Sequence, residues 1–168
     1  MAALRGAARG GMAHVLQKAR VTAEPLLPLP EIPEPAMPHI LIVEDEPTTS
    51  WALAEGLADD GFTIDTFRSA EEALAWLADG RCDLVIADLR LPGMSGIELA
   101  GKLKRGRSAC PVILVSAYGS ERTPRELRRA GIVEYFTKPF QVDALRRSVR
   151  IALAESGATR SAGVRKAA

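Results

Sequence analysis

Four short strand-like runs each lead into a residue that could do chemistry. His39–Val43 ends in Glu44 and Asp45, the run through Leu84, Val85 and Ile86 ends in Asp88, Pro111–Val115 ends in Ser116, and Glu134–Thr137 leads into Lys138 and Pro139. Brought together, these residues would make three carboxylates, a hydroxyl and an ammonium. Clustered carboxylates repel and raise one another's pKa, and a hard divalent cation removes that conflict. Magnesium suits the set best, because it accepts a few carboxylates and keeps its other positions for water and phosphate oxygens. Lys138 offers a mobile point charge for a phosphoryl oxygen, and Ser116 offers a hydroxyl donor. Such a set could stabilise a phosphoryl group in transfer, with one carboxylate as the covalent acceptor.

The elements between these residues must bring them to one place. Pro47 suits the first position of a helix, and Leu53 and Leu57 sit one turn apart before Gly61. Phe62–Phe67 alternates like a strand. Ser69-Ala70-Glu71-Glu72 reads as a capping box opening a helix with Ala73, Leu74 and Leu77 on one face. Asp83–Leu89 and Pro111–Val115 read as buried strands, Glu134–Thr137 as a shorter one. Ser95–Lys104 reads as helical, and so does Thr123–Ala130, a basic helix stopped at Gly131. Gln141–Leu153 reads as an amphipathic helix with Val142, Leu145, Val149 and Ala152 inward. Strands alternating with helices, several of them continuously apolar, predict a doubly wound α/β fold with a parallel five-stranded sheet covered on both faces. In such sheets the ligand site lies beyond the carboxyl ends of the strands, where the residues named above all fall.

Composition bounds the rest. The chain has 168 residues with a net charge of +1, 47% hydrophobic and 26% charged, which suits one ordinary domain with tails and gives no overall field for nucleic acid. The first 23 residues hold Arg5, Arg9, Lys18 and Arg20 and no acid, and the end of the chain holds Arg160, Arg165 and Lys166, so the ends are basic and the middle mildly acidic. Six prolines from Pro25 to Pro38 predict an extended linker. The expected organisation is a flexible arm over 1–38, a domain over 39–154 and, where apolar residues become few, a disordered basic tail over 155–168. The blandness of the arm leaves two readings open, a start of translation near Met37 or a real arm that serves as a flexible tether or partner-binding segment. Cys82 and Cys110 lie in no C-x-x-C pair and read as small buried hydrophobes. No apolar run reaches the roughly 18–20 residues needed to span a bilayer, and a cytoplasmic location follows by default. His14 and His39 show no ligand spacing. Trp51 and Trp76 lie within apolar helical patterns and are expected to be buried or half-buried.

The stretches HILIVEDEP, DLVIADLRLPGMSGIEL, PVILVSAYG and EYFTKPF resemble the signature segments of response-regulator receiver domains, over about His39 to Leu153. The resemblance implies the flavodoxin-like strand order 2-1-3-4-5. It implies Asp88 as phosphoacceptor, Asp45 as direct magnesium ligand with Glu44 acting through a water, and the backbone carbonyl of Arg90 completing the metal site. Ser116 would be the hydroxyl that swings toward the phosphate, Lys138 its cationic partner, Tyr135 the aromatic switch, and the Lys138–Pro139 bond cis. The phosphoryl donor would be a sensor histidine kinase or a histidine phosphotransfer protein. The output would be contact with a downstream protein through the last two helices and the last strand, with phosphorylation-dependent homodimerisation left open. Arg90 and Tyr118 stand at positions that tune dephosphorylation in the family, Ser95 stands where Asp is common, and Ala117 is small as usual.

Two other readings compete. One is a phosphorylation-independent scaffold with the same fold, which loss of an acidic or lysine position would support; none is lost. The other is a phosphatase of the HAD type, which also forms an aspartyl phosphate. That class needs a second Asp two residues after the nucleophile, where this chain has Arg90. No turnover of exogenous substrate, and no binding of nucleic acid or membrane, is expected.

Overall fold

The computed structural model describes residues 37–106, 109–119 and 122–164. The readings made on the N-terminal arm, His14 and a start near Met37 concern residues that lie almost wholly outside this set.

Five strands form one parallel sheet: β1 (His39–Val43), β2 (Thr63–Phe67), β3 (Leu84–Asp88), β4 (Val112–Ser116) and β5 (Ile132–Thr137), in the order β2-β1-β3-β4-β5. Five helices connect and follow them: α1 (Pro47–Ala58), α2 (Ala70–Trp76), α3 (Gly96–Arg105), α4 (Pro124–Arg129) and α5 (Val142–Val164). This is the fold class and strand order expected. The period of two along each strand divides the interior into two cores. Ile40, Ile42, Ile86, Ile113 and Val115 face α1 and α5, meeting Leu53, Leu57, Leu145 and Val149. Leu41, Val43, Val85, Ala87 and Leu114 face the other way, against Ala73 of α2, Leu99 and Leu103 of α3, and Leu127 of α4. The two central strands β3 and β4 are buried at every residue, which is why their sequences read as unbroken apolar runs. Among the described residues no helix is long and apolar enough to cross a membrane.

Local chemistry starts the helices. Ser95 and Thr123 each open a full capping box, with Glu98 and Glu126 reaching back to the cap. At α2 only half the expected box forms. Ser69 accepts from the Glu72 N–H, but the Glu72 carboxylate takes the N–H of Arg68 instead of that of Ser69. The cap of α1 is Glu46, whose two oxygens accept the N–H groups of Thr48 and Thr49 at 3.0 and 2.6 Å. The Thr49 hydroxyl and these amides hold the Glu46 carboxyl at about 2, far below its ordinary value. The folded state therefore binds this proton less readily than the unfolded chain. The stabilisation is present above about pH 4.5 and is lost as pH falls toward about 2. Glu46→Gln is expected to unfold more readily than wild type at neutral pH, with the gap closing across that window in a series of acid thermal melts.

Three expectations need correction. Trp51 is 65% exposed, because it lies two residues from Leu53 and so on the opposite side of α1. Val142 is 43% exposed, as befits the first residue of α5, while Leu145, Val149 and Ala152 are buried as expected. The tail expected from 155 onward is helical as far as Val164, since Ala, Glu and Arg continue the turn and no proline interrupts it.

Candidate functional site

Parallel pairing carries the four strand ends to one edge. Val43 pairs with Ala87, so the next residues, Glu44 and Asp88, stand side by side. Asp88 pairs with Val115 and Ser116 with Thr137, which brings Ser116 and Lys138 onto the same edge. The Lys138 N–H donates to the Ser116 carbonyl at 2.7 Å, and the Lys138–Pro139 bond that follows is cis, as expected.

The Lys138 ammonium sits between two carboxylates. It donates to Glu44 Oε2 and to Asp88 Oδ2, each at 2.7 Å. Glu44 and Asp88 are 2% and 8% exposed, so both charges are held out of water. Burial pushes the Glu44 carboxyl above its ordinary range, the ammonium pulls it back only in part, and the neighbouring Asp88 charge adds to the rise. Burial works against the Lys138 ammonium too, but its hydrogen bonds to Asp88 and Glu44 outweigh this and hold its pKa above the ordinary value. Two carboxylates thus share one cation, and Glu44 remains under-compensated.

The other Asp88 oxygen, Oδ1, accepts the Arg90 N–H at 2.6 Å. That bond places the Arg90 backbone on the turn beside the carboxylate. The Arg90 guanidinium lies 4.2 Å from the centre of the Tyr118 ring, a cation–π contact between the two residues at the positions that departed from the family pattern. Ser116 is buried, and its Oγ accepts the Tyr118 N–H at 3.2 Å. The Tyr135 hydroxyl, on a half-buried ring, donates to the Tyr118 carbonyl. Tyr118 is therefore held at its N–H by Ser116 and at its C=O by Tyr135, a link that neither residue's type revealed.

Asp45 is exposed at the mouth of the site, and Glu44 rather than Asp45 is drawn into the salt bridge. Among the described residues no three acidic, histidine or cysteine side chains are grouped so as to hold a metal ion by themselves. The donor chemistry nevertheless suits a hard divalent cation. Glu44 and Asp88 share one ammonium, which leaves a net negative charge between two carboxylates, and the exposed Asp45 follows Glu44 directly in the chain. Arg125, Arg128 and Arg129 of α4 are exposed. A groove of about 620 Å³ beside them, lined by Lys102, Lys104, Arg105 and Arg129 among others, contains none of the site residues.

Sequence reasoning missed Gly96. It begins α3, its N–H donates to the Leu89 carbonyl at 3.2 Å, and its missing side chain lets the helix start against the backbone carbonyl of Asp88. The signal was a glycine at the first position of a helix, where its flexibility serves no turn.

Known proteins share this sequence pattern and fold. The response regulator receiver domain family matches residues 40–150. The transcriptional regulatory protein TcrA of Mycobacterium tuberculosis is 37% identical over 107 residues, 64% of this chain and 42% of that protein. The DNA-binding transcriptional regulator NtrC of Salmonella typhimurium is 33% identical over 104 residues, 62% of this chain and 22% of that protein. The chain thus spans less than half the length of these two relatives. Among solved structures, a CheY-like receiver domain protein of Methanospirillum hungatei superposes with a TM-score of 0.68 at 27% identity, covering 74% of this chain and 99% of that one.

Proposed function

This chain belongs to the response regulator receiver domain family, and from that premise we propose that it accepts a phosphoryl group on Asp88 from a phosphohistidine and thereby switches its contacts with other proteins. What supports this most is the Lys138 ammonium, 2.7 Å from Asp88 on a buried strand edge, where a second carboxylate competes for it. An Asp88 oxygen attacks phosphorus, the new O–P bond forms as the N–P bond to the donor imidazole breaks, and the imidazole leaves. Lys138 is in place to follow charge from the carboxylate onto a phosphoryl oxygen. Glu44, Asp45, Asp88 and the backbone carbonyl of Arg90 would hold magnesium, which when bound supplies charge neutralisation for the incoming phosphoryl oxygens. The donor is a sensor histidine kinase or a histidine phosphotransfer protein.

The output follows from the Tyr118 link. A phosphoryl group brings about −1.5 to −2 charge to the site. Ser116 Oγ accepts the Tyr118 N–H and keeps its own O–H to donate, so a hydroxyl drawn toward that group pulls on Tyr118, and Tyr135, bonded to the same residue, feels the change. A partner that binds one of the two states better would read it. Arg90, stacked on Tyr118 where a HAD-type phosphatase needs a second Asp, supports a switch over an enzyme with external substrates.

Intact mass after incubation with acetyl phosphate tests this. Wild type should gain one phosphoryl group only with magnesium present, and Asp88→Asn should gain none. An unmodified wild type under those conditions, or an adduct that survives in the variant, would overturn the proposal.

A further inference from the structure

The two cysteines of the chain are 28 residues apart in sequence, yet their sulfurs lie 3.0 Å apart in the core. Cys82 precedes β3 and Cys110 precedes β4, strands that pair in parallel from Val85 and Val112 onward. The Val85 N–H donates to the Pro111 carbonyl at 3.0 Å, which fixes the approaches to both strands side by side. The thiols are therefore brought together by the same register that aligns Asp88 and Ser116 at the opposite ends of these strands. Closing from this contact to a bonded pair requires an approach of only about 1 Å.

We propose that Cys82 and Cys110 form an oxidation site, closing to an intramolecular disulfide when the protein meets a peroxide. Buried thiols are ordinarily inert, and oxidation follows thiolate character together with access. Cys82 is 3% exposed and Cys110 is 7% exposed, and Cys110 lines an open groove of about 350 Å³ together with Lys104, Pro111 and Gly131. The peroxide reaches the Cys110 sulfur through this groove. Cys110 attacks one peroxide oxygen, the O–O bond breaks, and water and a Cys110 sulfenic acid result. The Cys82 sulfur then attacks the Cys110 sulfur, the S–O bond breaks, and a second water leaves with the Cys82 proton. The two thiols lose two electrons and two protons in total, and one peroxide becomes two waters. The bridge ties together the amino-terminal ends of the strands that carry Asp88 and Ser116.

The test is made on the full chain, reduced, treated with hydrogen peroxide, then denatured in N-ethylmaleimide and weighed intact. The expected product takes up no maleimide, lacks the two thiol hydrogens, yields a linked Cys82–Cys110 peptide on digestion, and recovers two maleimide sites after dithiothreitol. Cys82→Ser, which has no resolving thiol, should carry oxygen on Cys110. Two alkylated cysteines in peroxide-treated wild type, oxygen on either sulfur without a bridge, or bridges between chains would overturn the proposal. A Cys110 that stays fully alkylatable in Cys82→Ser would overturn it as well, and the wild-type mass decides even if that variant does not fold.

Discussion

Replacing Lys138 by alanine is expected to cut acetyl phosphate labelling of Asp88 by roughly 100-fold or more, the scale on which loss of one preorganised electrostatic partner acts. It should also destabilise the fold at neutral pH. Removing one partner of a buried ion pair leaves an uncompensated charge and costs about 3–5 kcal/mol. Here two carboxylates lose the ammonium they share, but Lys138 itself is 23% exposed, so water relieves part of the strain and about 2 kcal/mol is expected. The pH dependence has a definite sign. Glu44 already titrates above its ordinary range, and without Lys138 it would be pushed higher. The folded variant then binds protons more readily than its unfolded chain, so its deficit grows as pH rises through the carboxylate range and shrinks as pH falls. Adding magnesium should restore stability to the variant more than to wild type. Thermal melts at pH 4.5 and pH 7.5, with and without magnesium, check all of this. A variant as stable as wild type at pH 7.5 would show that the ammonium does not compensate the pair.

That site was visible in the sequence because strand ends are visible. A parallel strand buried on both faces is a short apolar block, and the first polar residue after it must lie at the carboxyl edge of the sheet. Asp88 after Leu84–Ala87 and Ser116 after Val112–Val115 follow directly from that rule. What the rule does not contain is direction. It places Glu44 and Asp45 at the same edge but not which of them turns inward, and the fold turns Glu44 into the salt bridge and leaves Asp45 at the mouth. Nor does it contain contacts made across the sheet. Cys82 and Cys110 read singly as small core residues, and their contact appears only once the β3–β4 register is known. Trp51 is a different case. Its spacing from Leu53 and Leu57 already placed it on the outer face of α1, and the apolar character of the side chain obscured that geometry. α5 runs on past the point where apolar residues become few. Helix propensity does not need an apolar face to carry a turn onward.

Gly96→Ala should be the most damaging single methyl group that can be added near the site. A Cβ at Gly96 would lie well inside contact distance of the Asp88 carbonyl oxygen and 2.9 Å from Leu114 Cδ2. The leucine methyl can rotate away. The carbonyl cannot, because it belongs to the fully buried β3, and α3 is held against that strand by the bond from the Gly96 N–H to Leu89. Something must therefore move, and the choices are the helix start or the strand end that carries the phosphoacceptor. Overpacking of this kind costs about 1–3 kcal/mol, and rigid backbone on both sides argues for the upper end, about 3 kcal/mol. A displacement of the carboxylate approaching 1 Å could slow labelling of Asp88 by as much as ~100-fold. Gly101→Ala, on the same helix, separates this from a general effect of glycine. Its Cβ would meet the Arg105 guanidinium at an ordinary 3.5 Å, so the better helix former should raise stability by up to about 1 kcal/mol and leave labelling unchanged. Melting temperatures and labelling rates of the two variants, measured side by side, decide the matter. If Gly96→Ala kept the wild-type values of both, the close approach of α3 to the Asp88 backbone would have no part in positioning the acceptor.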